Sequence, residues 1–107
     1  MKISKQQLAF KIREAAETMA RRLGIAHPDK MEENQELLPA IESKNPMAAR
    51  VLGSFRSAYR LWYEKSEELE REKEKGGDTT LLKVQVMELM KERDVTEKAF
   101  KLYLAQR

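Results

Sequence analysis

The residues best suited to chemistry lie in one stretch, Arg50-Val51-Leu52-Gly53-Ser54-Phe55-Arg56-Ser57-Ala58-Tyr59-Arg60-Leu61-Trp62-Tyr63. As a helix turning about 100° per residue, it gathers Val51, Phe55, Ala58 and Trp62 on one arc. Arg50, Ser54, Arg56, Ser57 and Arg60 occupy the opposite arc, and Tyr59 and Tyr63 stand at the border. No acid interrupts the stretch. Arg and Ser contact phosphates, and Tyr stacks on bases, so the face suits a nucleic acid. Trp, Tyr and Arg are also the side chains that dominate protein interfaces. A third reading is a core stripe whose Arg side pairs with the acidic segment 29–36. Arg50, Arg56, Arg60, Tyr59 and Tyr63 are therefore the candidate contacts to a partner or to phosphate. Lys5, Lys11, Arg22, Lys98 and Lys101 are secondary basic contacts.

Catalysis needs a nucleophile with a base, paired carboxylates in a pocket, or a metal. The sequence has no Cys and one His, His27. That removes thiolate sites, His-rich metal sites and most triads. His27 precedes Pro28 in a polar turn, where a solvated or capping role outranks a general base. The acids gather as Glu32, Glu33 and Glu36, and again over Glu64–Glu74. Lys and Arg are interleaved in the second group, which reads as a solvated helix face rather than a cation site. Four Gly, two of them adjacent, cannot form a phosphate loop. No enzyme activity, cofactor or metal is expected.

The whole chain is 107 residues with a net charge of +3. The charge alternates: +4 over 1–26, −3 over 27–45, +3 over 46–63, −3 over 64–78 and +2 over 79–107. Alternating blocks suit docking on a complementary surface better than a uniform basic sheath does. The length fits one domain. No run approaches the ~18 apolar residues of a membrane span, and no secretory pattern opens the chain, so a cytoplasmic location is expected.

Helical periodicity supplies the elements that must carry these residues. Ser4 and Gln7 form a capping-box pattern ahead of Leu8, Ile12, Ala15, Ala16, Met19 and Leu23, which predicts a helix over 5–23 closed by Gly24. Pro28 and the acids after it predict a short helix over 28–38, with Pro39 breaking or restarting it. Asn45-Pro46 predicts the start of a long helix over 46–75, about 45 Å in length, whose charged end 64–75 overhangs the core. Gly76-Gly77 breaks the chain, and Asp78 or Thr79 caps the next helix. Residues 79–92 are apolar nearly all round, as in a central helix or an oligomer interface. Thr96 then predicts a last helix over 96–105, with Val95 and Phe100 as its hydrophobic staple. The fold class is all-α: a single domain of four main helices plus one short helix, with the long helix projecting.

Residues 94–104 also resemble the turn and second helix of helix-turn-helix proteins. Val95, Thr96, Phe100 and Leu104 fit that pattern, while Arg93 and Asp94 depart from it. Ala20-Arg21-Arg22-Leu23-Gly24-Ile25 resembles the first half of the same motif, and Pro28 interrupts its continuation. The resemblance implies a DNA-binding regulator working through residues 80–105. The reading preferred over it is a non-catalytic accessory or regulatory subunit, docking on a protein or nucleoprotein assembly through the Arg/Tyr face. Residues 79–92 are a candidate homo-oligomer contact.

Overall fold

A computed structural model describes residues 3–106. Among them are four helices: α1 (Lys5–Arg22), α2 (Leu38–Lys44), α3 (Pro46–Lys75) and α4 (Thr80–Ala105). A lone 3-10 turn, Pro28–Lys30, and one wide π-type turn, Glu33–Leu37, join α1 to α2. The architecture is a small all-α bundle with no strand among the described residues.

Each helix begins and ends for a local reason. Ser4 Oγ accepts from the Gln7 N–H at 3.0 Å, and Gln7 Oε1 accepts from the Ser4 N–H at 2.7 Å. This reciprocal pair satisfies two orphan donors at the start of α1. The end of α1 wraps through Gly24 at φ 80°, with Ile25 N–H donating to Ala20 O. Asn45 Oδ1 accepts from the N–H groups of Met47 and Ala48 at the start of α3. Its Nδ2 donates to the Tyr103 hydroxyl at 2.9 Å, fastening the start of α3 to the end of α4. Asp78 Oδ1 accepts from both the N–H and the hydroxyl of Thr80 at the start of α4. These bonds hold the fully exposed Asp78 carboxyl below its ordinary range.

Two expected elements are corrected. Residues 28–38 form no continuous helix. Arg13 Nη2 takes the carbonyls of Pro28 at 2.9 Å and Met31 at 2.7 Å, so these groups serve α1 instead of an α-helical ladder. The chain is extended at Met31 and Glu32, then winds through the π-type turn into α2. Pro39 sits at the second position of α2, where its missing N–H costs nothing. The helices expected over 79–92 and 96–105 are one helix of 26 residues. Thr96 does not cap a new helix; its hydroxyl donates back to Arg93 O at 2.9 Å. The continuous helix places Arg93 and Phe100 two turns apart on one face, where Arg93 covers Trp62 and Phe100 stacks on Phe55. That packing outweighs a weak capping preference.

One core joins Leu8, Ile12, Met19 and their neighbours of α1 to Leu37, Ile41, Leu52, Phe55, Trp62 and Phe100. The long helix leaves this core as expected, but not alone. α4 runs back along it and buries Leu69, so the projection is an antiparallel two-helix arm. The molecule measures 50 × 25 × 19 Å with a radius of gyration of 15.8 Å. A compact domain of this length would have about 13 Å, and the arm accounts for the difference.

Candidate interaction surfaces

The Arg/Tyr stretch of α3 divides between inside and outside. Arg50 and Arg60 are exposed. Arg56 turns toward the π-type turn, and its Nη2 donates to Glu33 Oε1 at 2.7 Å. Only 13% of the Arg56 side chain is exposed, and its Nε is buried without a hydrogen-bond partner. Burial lowers its pKa, the Arg60 charge adds to that, and Glu33 opposes both. This pair matches the reading in which the Arg side meets the acidic segment.

Tyr59 lies inside the bundle. Its ring packs 4.8 Å from Phe55 and edge-on to Trp62 at 6.1 Å. Tyr63 is half-buried and lines an open groove between α3 and α4 of about 400 Å³. Trp62 and Leu69 of α3, with Val86, Met90 and Arg93 of α4, form most of its wall. The Arg93 guanidinium lies 4.3 Å from the Trp62 ring centre and forms an ion pair with Asp94 at 3.0 Å.

Glu97, which the sequence did not single out, is where three helices meet. It accepts from the Tyr59 hydroxyl at 2.8 Å and pairs with Lys11 at 3.2 Å and Lys101 at 3.9 Å. Lys11 also sits 5.0 Å above the Tyr59 ring. Burial alone would raise the Glu97 pKa, but the bonds from Tyr59 and Lys11 and the two lysine charges hold it below its ordinary value. The bond with Tyr59 raises the Lys11 pKa against the cost of burial, and burial raises that of Tyr59. Each of these groups keeps its ordinary charge near neutral pH, which suits a lock between α1, α3 and α4. The available signal was a carboxylate on the apolar side of α4, one turn from both Arg93 and Phe100.

The other secondary basic residues also separate. Arg22 caps the end of α4, its Nε donating to Leu104 O at 3.0 Å and its Nη2 to Gln106 O. A cation there meets the orphan carbonyls and the negative end of the helix dipole. Lys5 and Lys98 are exposed, Lys5 in the first turn of α1 and Lys98 on the outer side of α4. His27 is exposed ahead of the 3-10 turn, with φ 52°. No group of three or more potential ligands that could hold a metal ion occurs among the described residues. No described helix is long and apolar enough to cross a membrane. Residues 93–96 are helical, so α4 lacks the turn that a helix-turn-helix needs.

The outward side of α4 carries large apolar side chains that the core does not use. Leu81, Val84, Met87, Val95 and Leu102 are 68%, 49%, 55%, 67% and 61% exposed. They fall within about 60° of one line along the helix, opposite the face that carries Val86, Leu89, Arg93 and Phe100. No family model, curated protein or solved structure matches this chain.

Proposed function

We propose that this chain is a non-catalytic helical docking protein, an accessory or regulatory subunit that binds protein through the outward face of α4. The observation that carries the reading is the exposed stripe from Leu81 to Leu102. A helix that only covers α3 needs one apolar face, and α4 has two. Large apolar side chains clustered on an exposed helix face mark protein interfaces. The charged and aromatic groups outside the stripe support the same reading. Arg56 is held by Glu33, Tyr59 and Lys11 by Glu97, and Arg22 by the end of α4. These contacts serve the fold.

Affinity purification from the native host, with and without nuclease, tests the reading. The tagged protein is compared with a Val84→Lys, Val95→Lys double variant. Both positions are exposed, so the variant keeps the core. The expected result is an assembly that survives nuclease and is lost by the variant. The same assembly retained by the variant, or dissolved by nuclease, refutes docking through α4.

A further inference from the structure

We infer that the groove between α3 and α4 binds an aliphatic monocarboxylate, its head on Arg93 and its chain along Trp62 and Leu69. The site is separate from the outward face of α4. Its volume of about 400 Å³ falls within the range of small-molecule sites. The antiparallel pairing of the two helices gives the groove two distinct ends. Trp62 and Arg93 meet at one of them. Leu69 on α3 and Val86 on α4 line the wall toward the Gly76-Gly77 turn, each two helical turns away, about 10 Å. That length of apolar wall suits an extended hydrocarbon chain.

The charge in the groove selects the head and its direction. Arg93 is largely buried and stacks on the Trp62 ring. Its Nε and Nη2 both donate to a single oxygen, Asp94 Oδ1, at 3.2 and 3.0 Å. The edge formed by Nη1 and Nη2 therefore keeps donors without a partner among the described residues. A carboxylate accepts two parallel N–H bonds from such an edge. Asp94 is mostly exposed, so its own pairing with Arg93 contributes little and does not compete strongly. Glu70 lines the groove near Leu69, and its carboxylate is paired with Lys73 at 3.6 Å. A second acid on the ligand would meet that carboxylate, which excludes a dicarboxylate. One guanidinium balances one negative charge, whereas a phosphate monoester carries about −1.5 to −2. Charge left unbalanced against apolar walls is costly. The Ser66 hydroxyl in the wall is already spent on the Trp62 carbonyl at 2.8 Å, which leaves the chain of the ligand to apolar contact.

Trp62 is the only Trp in the chain, so its emission reports on the groove directly. The full chain is titrated with sodium octanoate and, separately, with octanol, each below the concentration at which it self-associates. Octanoate should change the emission saturably, and a terminally brominated octanoate should quench it. Octanol should bind roughly tenfold more weakly, because it forgoes hydrogen bonds to a charged group. Val86→Phe fills the end of the groove away from Arg93 and should remove the octanoate response at unchanged helicity. Arg93→Met should bind octanoate no better than octanol. If Arg93→Met fails to fold, the octanol comparison and Val86→Phe decide alone. Equal affinity for octanoate and octanol overturns recognition of the carboxylate. The absence of a saturable response, or one that Val86→Phe leaves unchanged, overturns the site. Neither result bears on docking through α4, which the host assembly tests.

Discussion

Val95→Pro separates a continuous α4 from two helices meeting at a turn. Val95 is 67% exposed, so the side chain contributes little to the core. The cost comes from the backbone. Position 95 is well inside a helix that runs from Thr80 to Ala105. Proline there removes the N–H donated to the Lys91 carbonyl and sets its ring against that carbonyl, costing ~3 kcal/mol or more. The kink also falls between two contacts that need one straight face, Arg93 over Trp62 at 4.3 Å and Phe100 on Phe55 at 5.0 Å. A domain of this size has about 5–15 kcal/mol in total, so the loss is large. At roughly 4 °C per kcal/mol it lowers Tm by about 12 °C. Urea titration followed by far-UV circular dichroism measures it, with Val95→Ala as the reference so that any intermolecular contact is lost in both. In a two-helix arrangement, position 95 would precede the cap, and proline would be tolerated. A Val95→Pro variant within ~0.5 kcal/mol of Val95→Ala would refute the continuous helix.

Two glycines should respond in opposite directions in the same assay. Gly53 lies inside α3 with open space where a Cβ would go, so Gly53→Ala should stabilise by about 0.5–1 kcal/mol. Gly76 has φ 73°, so Gly76→Ala should cost about 1–2 kcal/mol despite equally open space. Glu33→Gln leaves the largely buried Arg56 charge without its counter-ion and should cost about 1–3 kcal/mol by urea titration. Adding Arg56→Met should recover part of that loss. The Glu97 pKa is depressed, so its contribution is present above the ordinary value of 4.5 and is lost as pH falls through the folded pKa. The Tm gap between the native protein and Glu97→Gln should therefore be widest near neutral pH and close in acid. The Lys11 and Tyr59 pKa values are raised, so stability should fall again as pH rises beyond their ordinary 10.5 and 10.0.

The parts of the fold legible in the sequence were those set by local chemistry. The capping box at Ser4, the glycine end of α1, the Asn45-Pro46 start and the Gly76-Gly77 break all act over a few residues, and all occur. The segment 28–38 was not legible because Arg13, fifteen residues before Pro28, takes the carbonyls a helix would have used. The join within α4 was misread for a related reason. Thr96 looks like a cap in isolation, but its hydroxyl has an acceptor within the helix, and the rings of Trp62 and Phe55 fix the register on both sides of it. The Arg/Tyr face was legible as a face. Periodicity could not show that Arg56 would turn to Glu33 or that the Tyr59 hydroxyl would find Glu97, since both partners come from distant elements.

The apolar character of residues 79–92 suits a central helix or an oligomer interface. In the structure α4 lies on the outside of the bundle, which removes the first reading of that apolar character. Half of it is spent on α3, through Val86, Leu89 and the residues around the groove. The other half, Leu81, Val84 and Met87, faces away and continues beyond the expected break as Val95 and Leu102. Only a continuous helix brings those two groups onto one line. A turn at 93–96 would send Val95 and Leu102 in another direction and divide the stripe. The continuity of α4 therefore does more than position Phe100 in the core. It aligns two short apolar patches along one helix face about 31 Å long.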